Sequence, residues 1–419
     1  MLSKVAGSIS HDSGCQDSPV QEVEVNTMDE PLSIAPMMEV TDPHWRYFMR
    51  GLTKKTILYT EMVVDDTVIH VPCLDRMLGR DIEEGPSVIQ LGGHNPENLG
   101  EAAYLCEKYG GGYSEINLNC GCPSEKVSKR KFGASLMLEP ELVREIVYNM
   151  SRRVSCPVTV KCRIGADNKD SYPELVEFIK AANAGGAKKF IIHSRKAFLS
   201  GLSTKQNRDV PPLKYEVPHK LVQDFPDLKF IMNGGILTLE QGLKHMNSDY
   251  VYIYNTQEKT SVEDIGAENV DLFQQEILPP VHGVMIGRAA YNSPTIFANA
   301  DSTFFGEKDP CLTRRDLLQR YCDYCDRFPA PDADGRAMSV AILLKPVQNL
   351  MNGIRNNTVY RRYLNDLYNK HSKGPNKSPG YIAREVIEGA MQQVEESDLD
   401  SPIWLGDEYR GQNKRKGLV

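Results

Sequence analysis

The sequence predicts an α/β chain in which a (β/α)8 barrel of the TIM type is followed by a small all-helical C-terminal domain. Eight short apolar runs each end on a polar residue or a glycine, and helical patterns lie between most of them. After residue 308 the strand signal stops and only helical spacing continues. Eight strand–helix repeats in roughly 260 residues have the length and rhythm of such a barrel, whose chemistry gathers at the C-terminal ends of its strands.

In chain order, Ser33–Pro36 leads into Met37 and Met38, Ile57–Thr60 ends at Glu61, and Ser87–Ile89 ends at Gln90. The fourth run, EINLNCGCPS from Glu115, alternates in strand fashion to Asn119 and then sets Cys122 between a glycine and a proline. Val158–Val160 ends at Lys161, Phe190–Ile192 at His193, Lys229–Met232 at Asn233-Gly234-Gly235, and Gly283–Ile286 at Gly287-Arg288. Pro96–Tyr109, Pro140–Arg153 and Pro173–Ala184 supply helices between them. Residues 248–280 exceed what a barrel connection needs. They read as an insertion, strand-like over Tyr250–Tyr254 and helical near Val270–Glu276.

The barrel therefore spans residues 31–308. The runs DLLQRYCDYCDRF, AILLKPVQNLMNGIRN, TVYRRYLNDLYNK and YIAREVIEGAMQQV predict a helical domain over 309–400, and 401–419 reads as a loose tail. Residues 1–30 set Lys4 against Asp12, Asp17, Glu22, Glu24, Asp29 and Glu30 without any period, the signature of a disordered extension.

The 419 residues are 41% hydrophobic, enough to bury a large core. No apolar run approaches the ~18 residues of a membrane span. The ten cysteines are scattered rather than framed in pairs, which suits a reducing compartment. A transit peptide is basic and poor in acid, and only the first eleven residues come near that. Cytoplasmic residence is expected, with organelle import the alternative. The net charge of −7 averages unlike segments, because residues 314–384 hold thirteen Lys or Arg against six Asp or Glu. That basic stretch keeps a nucleic-acid partner open.

In order, the motifs SIAPMMEVTD, LYTEMV, VIQLGG, EINLNCGCPSEKV, FGASLM, PVTVKCRIG, FIIHSRKAFLSGLS, NRDVPPL, NGGI and GVMIGRAAYNSP resemble the tRNA-dihydrouridine synthases of the A-type branch. The resemblance is dense over about residues 31–300 and thinner through VYRRYL. Cys120, Cys162, the insertion and the N-terminal extension depart from the family pattern. The resemblance implies an FMN-dependent, NADPH-fuelled oxidoreductase that reduces the C5–C6 bond of a D-loop uridine in tRNA, at position 20 or 20a.

Reducing such a bond requires hydride at one carbon and a proton at the other, hence a flavin face and an acid opposite it. Cys122 suits the acid, since an ordinary thiol with a pKa of about 8.5 stays protonated at neutral pH. The resemblance makes it the donor to C5, while Cys120 reads as core packing. It places Pro36, Met37 and Met38 against the flavin ring, Gln90 at its pyrimidine edge, Lys161 near N1 and O2, and His193 between ring and ribityl chain. Asn233, Gly234, Gly235, Gly287 and Arg288 would take the phosphate, where the loops after the last barrel strands commonly bind it.

For the RNA, the resemblance has Asn119 orient the uracil, and Arg163 is expected to reach the target nucleotide's phosphate. Arg195, Lys196, Lys205 and Arg208 around Phe198 read as a basic lid, or else as a solvated loop. Arg355, Arg361 and Arg362 are expected along a tRNA groove. Cys322-x-x-Cys325 has zinc-like spacing without a second ligand pair, so no metal is expected. A monomer is expected, since a partner over the barrel mouth would obstruct tRNA. Two alternatives stand beside this reading: a flavin barrel acting on a free pyrimidine or small enone, and a tRNA-binding chaperone.

Overall fold

The computed structural model describes residues 29–71, 74, 78, 84–255, 273–329, 338–371 and 378–403. The expectations for residues 1–28, for the middle of the insertion and for 404–419 lie outside the described residues. Eight strands close a barrel: β1 (Leu32–Ile34), β2 (Ile57–Val64), β3 (Ser87–Gly92), β4 (Glu115–Cys120), β5 (Val158–Arg163), β6 (Lys189–His193), β7 (Lys229–Asn233) and β10 (Gly283–Ile286). Their order around the barrel is β1-β10-β7-β6-β5-β4-β3-β2. Every pairing is parallel.

The intervening helices form where caps permit. Asn95 accepts from the amides of Glu97 and Asn98 at 2.9 and 3.0 Å to start Pro96–Tyr109. Ser171 and Glu174 form a reciprocal capping box that starts Tyr172–Ala184.

Period-two alternation sorts each strand into a face toward the helices and a face toward the barrel axis. Ala35, Ile57, Tyr59, Val88, Ile191, Ile231 and Met285 pack together as an apolar cluster on that axis. Below it, at the strands' N-terminal ends, the buried ammonium of Lys189 pairs with Glu30 at 2.8 Å and Glu115 at 2.7 Å. Tyr59 donates to the same Glu30 carboxylate at 3.0 Å. Above it, register brings Asn119 opposite Lys161, Arg163 opposite His193, and His193 opposite Asn233. The residues read as strand ends therefore lie on one rim.

The insertion departs from its expected form. Tyr250–Asn255 is a strand, β8, as expected, but Phe273–Leu278 is also a strand, β9, rather than a helix over 273–276. The two pair antiparallel outside the barrel, and the partner strand overrides the weak helical spacing of FQQEIL. The hairpin rests on the helix Glu216–Asp224 through a Lys220–Glu276 pair at 3.1 Å and a His219–Tyr250 ring stack at 4.6 Å. It joins the barrel where helix returns to strand, on the side opposite the rim.

The C-terminal region is helical over Arg314–Cys325, Val340–Leu344, Asn357–His371, Pro379–Met391 and Glu396–Asp400. The run from Ala341 to Asn356, expected as one helix, stays regular only through Leu344. Pro346 follows, and proline lacks an N–H for the helical ladder. This bundle shares one apolar core with β1, β10 and the helix Pro43–Met49. Tyr47 stacks on Tyr324 at 3.9 Å, and His44 Nδ1 lies 2.7 Å from the Tyr324 hydroxyl. Cys322 and Cys325 are buried in that core as free thiols. No described helix is long and apolar enough to cross a membrane.

Candidate active site

β4 positions the thiol. Asn119, one residue before the strand ends, turns its Oδ1 back to accept from the amides of Gly121 at 3.1 Å and Cys122 at 3.0 Å. This folds the chain over its own strand end and holds Cys122 at the rim. The Cys122 carbonyl accepts from Ala134 at 2.9 Å. Beside it, Gly133 adopts φ +70°, where a Cβ would come within 2.7 Å of that carbonyl. Burial raises the Cys122 thiol pKa above its ordinary value, although Arg163, Lys161 and Arg208 pull the other way. The thiol is therefore held protonated and suited to giving up a proton, whereas an activated nucleophile would show a depressed value.

Around it runs a row of amides. Asn119 Nδ2 donates to Gln90 Oε1 at 2.7 Å, Gln90 Nε2 to Asn117 Oδ1 at 2.8 Å, and Asn117 Nδ2 to Thr159 Oγ1 at 3.0 Å. The Gln90 backbone N–H donates to Thr60 Oγ1 at 3.1 Å. Asn117, Thr159 and Thr60 escape a reading that looks only at strand ends. The signal for Asn117 was present in Glu115-x-Asn117-x-Asn119, polar at every second position and so turned toward the axis.

On the next strands, Lys161 Nζ donates to Asn233 Oδ1 at 3.0 Å, and Asn233 Nδ2 donates to the Met285 carbonyl at 2.8 Å. Lys161 lies within β5, two residues short of its end, rather than at it. Burial, with Arg163 adding repulsion, lowers its pKa to about 8. His193 is held well below the usual histidine value by burial and by neighbouring cations, so its ring is neutral. Gly234 packs against that ring at φ +107°, where a Cβ would approach within 2.5 Å. A Cβ at Gly287 would meet the Ala35 Cβ at 3.5 Å, an ordinary contact. Pro36 and Met37 are partly buried at the rim, while Met38 is 57% exposed.

Arg163 is not free to reach outward as the sequence suggested. It is buried, and its guanidinium donates to the carbonyls of Gly121 at 3.0 Å, Lys196 at 3.0 Å and Asn207 at 2.9 Å. A two-residue stride along β5 from Lys161 keeps it on the axial face, and backbone carbonyls capture the fork.

The cations of the loop after β6 gather above. Arg195 donates to the Pro211 carbonyl, and Arg288 pairs with Asp209 at 2.8 Å while donating to the Arg208 carbonyl at 3.2 Å. Lys205 and Arg208 are exposed, and Arg208 lies close enough for its charge to be felt at Cys122. Arg361 and Arg362 are exposed on the helix Asn357–His371 of the C-terminal bundle. Arg355 is exposed and pairs with Glu395 at 3.3 Å.

A closed parallel barrel whose strand ends converge on one protonated thiol, a row of amides and several cations defines an (β/α)8-barrel enzyme. The dihydrouridine synthase family (Dus) matches residues 33–252 and 274–386, well over half of the chain and all of this site. Three similar proteins are each named tRNA-dihydrouridine(20/20a) synthase. That of Synechocystis is 38% identical over 86% of this chain and 94% of its own. That of Vibrio parahaemolyticus is 42% identical over 70% and 80%. That of Vibrio cholerae is 36% identical over 88% and 98%. The chain belongs to the dihydrouridine synthase family.

Proposed function

We propose that this protein reduces the C5–C6 double bond of a D-loop uridine in tRNA, at position 20 or 20a, using FMN and NADPH, with Cys122 as the proton donor. The observation that carries the reading is the Cys122 thiol, pinned at the barrel rim by Asn119 and kept protonated by burial. The names of the similar proteins support the substrate.

The residues fit an FMN. Lys161 is an ammonium facing no carboxylate in its hydrogen bonding, the complement of a ring edge that gains negative charge. Gln90 carries amide groups to the same rim, and neutral His193 with Pro36 and Met37 offers flat and apolar contact. Gly234 and Gly235 lie tight against His193, Leu213 and Tyr215, where only glycine fits, and their backbone with Gly287 and Arg288 would take the phosphate. An FMN held there, once reduced by NADPH, would supply the hydride. Asn119 orients the uracil, Cys122 gives its proton to C5, and Lys161, Arg163 and Arg208 stabilise the thiolate that remains. The lid cations Arg195, Lys205 and Arg208, and Arg361 and Arg362 on the bundle, hold the RNA backbone once the base is flipped out. The protein acts as a monomer in the cytoplasm, its rim left open to tRNA.

The test is a mass-spectrometric map of dihydrouridine in unmodified tRNA after incubation with protein, FMN and NADPH. New dihydrouridine at a D-loop position supports the reading. Flavin reduced by NADPH without any product on tRNA overturns it.

A further inference from the structure

Backbone N–H groups only donate, and this sets the direction of the whole amide row. Because Gly121 and Cys122 both donate to Asn119 Oδ1, at 3.1 and 3.0 Å, that oxygen has no lone pair left. Asn119 must then present Nδ2 to Gln90, Gln90 must accept through Oε1, and its Nε2 must find an acceptor on the far side. Asn117 Oδ1 is that acceptor at 2.8 Å, and Asn117 in turn donates to Thr159 at 3.0 Å. Asn117, Gln90 and Thr159 are fully buried, and Asn119 keeps 8% exposure at the rim. Toward a ligand, Asn119 has one N–H to offer and no acceptor.

We infer that Asn117 is a positioning residue for the reaction: by accepting from Gln90 Nε2 it holds Gln90 Oε1 against Asn119 Nδ2, and so steadies the donor orientation that the Gly121 and Cys122 amides impose on Asn119. Asn117 sits beneath the pair it orients and acts only through Gln90. The catalytic part of this inference rests on the proposed tRNA reduction, whereas the relay itself does not.

Two measurements separate them. In flavin-free protein, amide hydrogen exchange at Gly121 and Cys122 is expected to speed up by about tenfold in Asn117→Ala, the scale of one lost buried hydrogen bond. Asn117→Asp, which keeps an oxygen facing Gln90 and lets the Thr159 hydroxyl turn to donate, should restore near wild-type exchange. In flavin-loaded protein, reoxidation by tRNA should slow by about tenfold in Asn117→Ala while reduction by NADPH stays within about twofold. Thr159→Val, which spares the Gln90 contact, should show a smaller loss in the same step and guards against a folding failure in Asn117→Ala. Unchanged exchange, or both half-reactions falling together, overturns the inference. Failure of tRNA to reoxidise the wild-type flavin overturns the functional reading instead, and the exchange experiment still decides the relay.

Discussion

Arg163 holds the carbonyl of Gly121, the residue before the thiol, at 3.0 Å. The same guanidinium holds the loop after β6 at the carbonyls of Lys196 and Asn207, so one buried side chain spans the Cys122 turn and that loop. Lysine lacks the planar fork that reaches three carbonyls. Arg163→Lys should therefore lower turnover by about tenfold or more while flavin stays bound, since charge-assisted hydrogen bonds contribute ~1.5–3 kcal/mol each. Steady-state kinetics with flavin content measured beside them will show this, and wild-type turnover would refute it.

Cys122→Ala should retain flavin and lose about two orders of magnitude or more of tRNA reduction, the usual scale for removing a general acid. Single-turnover reoxidation by tRNA is the measurement. A variant with undiminished rate would remove the thiol from the mechanism.

Lys161 is a base whose pKa burial has lowered to about 8, so its ammonium is present below that pH and lost as pH rises through it. FMN affinity of the flavin-free protein should accordingly weaken above about pH 8. Lys161→Arg, permanently charged, should flatten that limb. Fluorescence titration of FMN across pH tests both. His193, already neutral, should add no step near the ordinary histidine value of about 6.5.

Gly234→Ala places a Cβ within 2.5 Å of the His193 ring at a φ of +107°. Strain of this kind costs about 1–3 kcal/mol. The expected result is a tenfold or greater loss of FMN affinity with the fold intact by circular dichroism.

Lys189→Met would leave the Glu30 and Glu115 carboxylates buried without the ammonium they share. Breaking a buried ion pair from one side costs about 3–5 kcal/mol. Chemical denaturation should show that loss, although Lys189 lies at the opposite end of the barrel from the thiol.

Much was legible locally. Each barrel strand is a short apolar run with its own punctuation, and period-two alternation in Glu115, Asn117 and Asn119 marks the axial face without any partner strand. The Gly-Cys-Pro turn at Cys122 and the two glycine sites also follow from residues adjacent in sequence. The β9 strand did not, because FQQEIL has no strong preference until Tyr250–Asn255 pairs with it.

By itself, then, the sequence determined the alternation of strand and helix, the polar strand ends that share one rim, and the Gly-Cys-Pro turn that sets a thiol there. Only the tertiary structure decided which polar groups meet. Register puts Gln90 between Asn117 and Asn119, closure brings Glu30, Glu115 and Lys189 to one point, and the Lys196 and Asn207 carbonyls turn Arg163 inward. Local pattern sets which face of a strand a side chain takes, but its hydrogen-bond partner comes from residues tens of positions away, brought near by the stagger of a closed barrel.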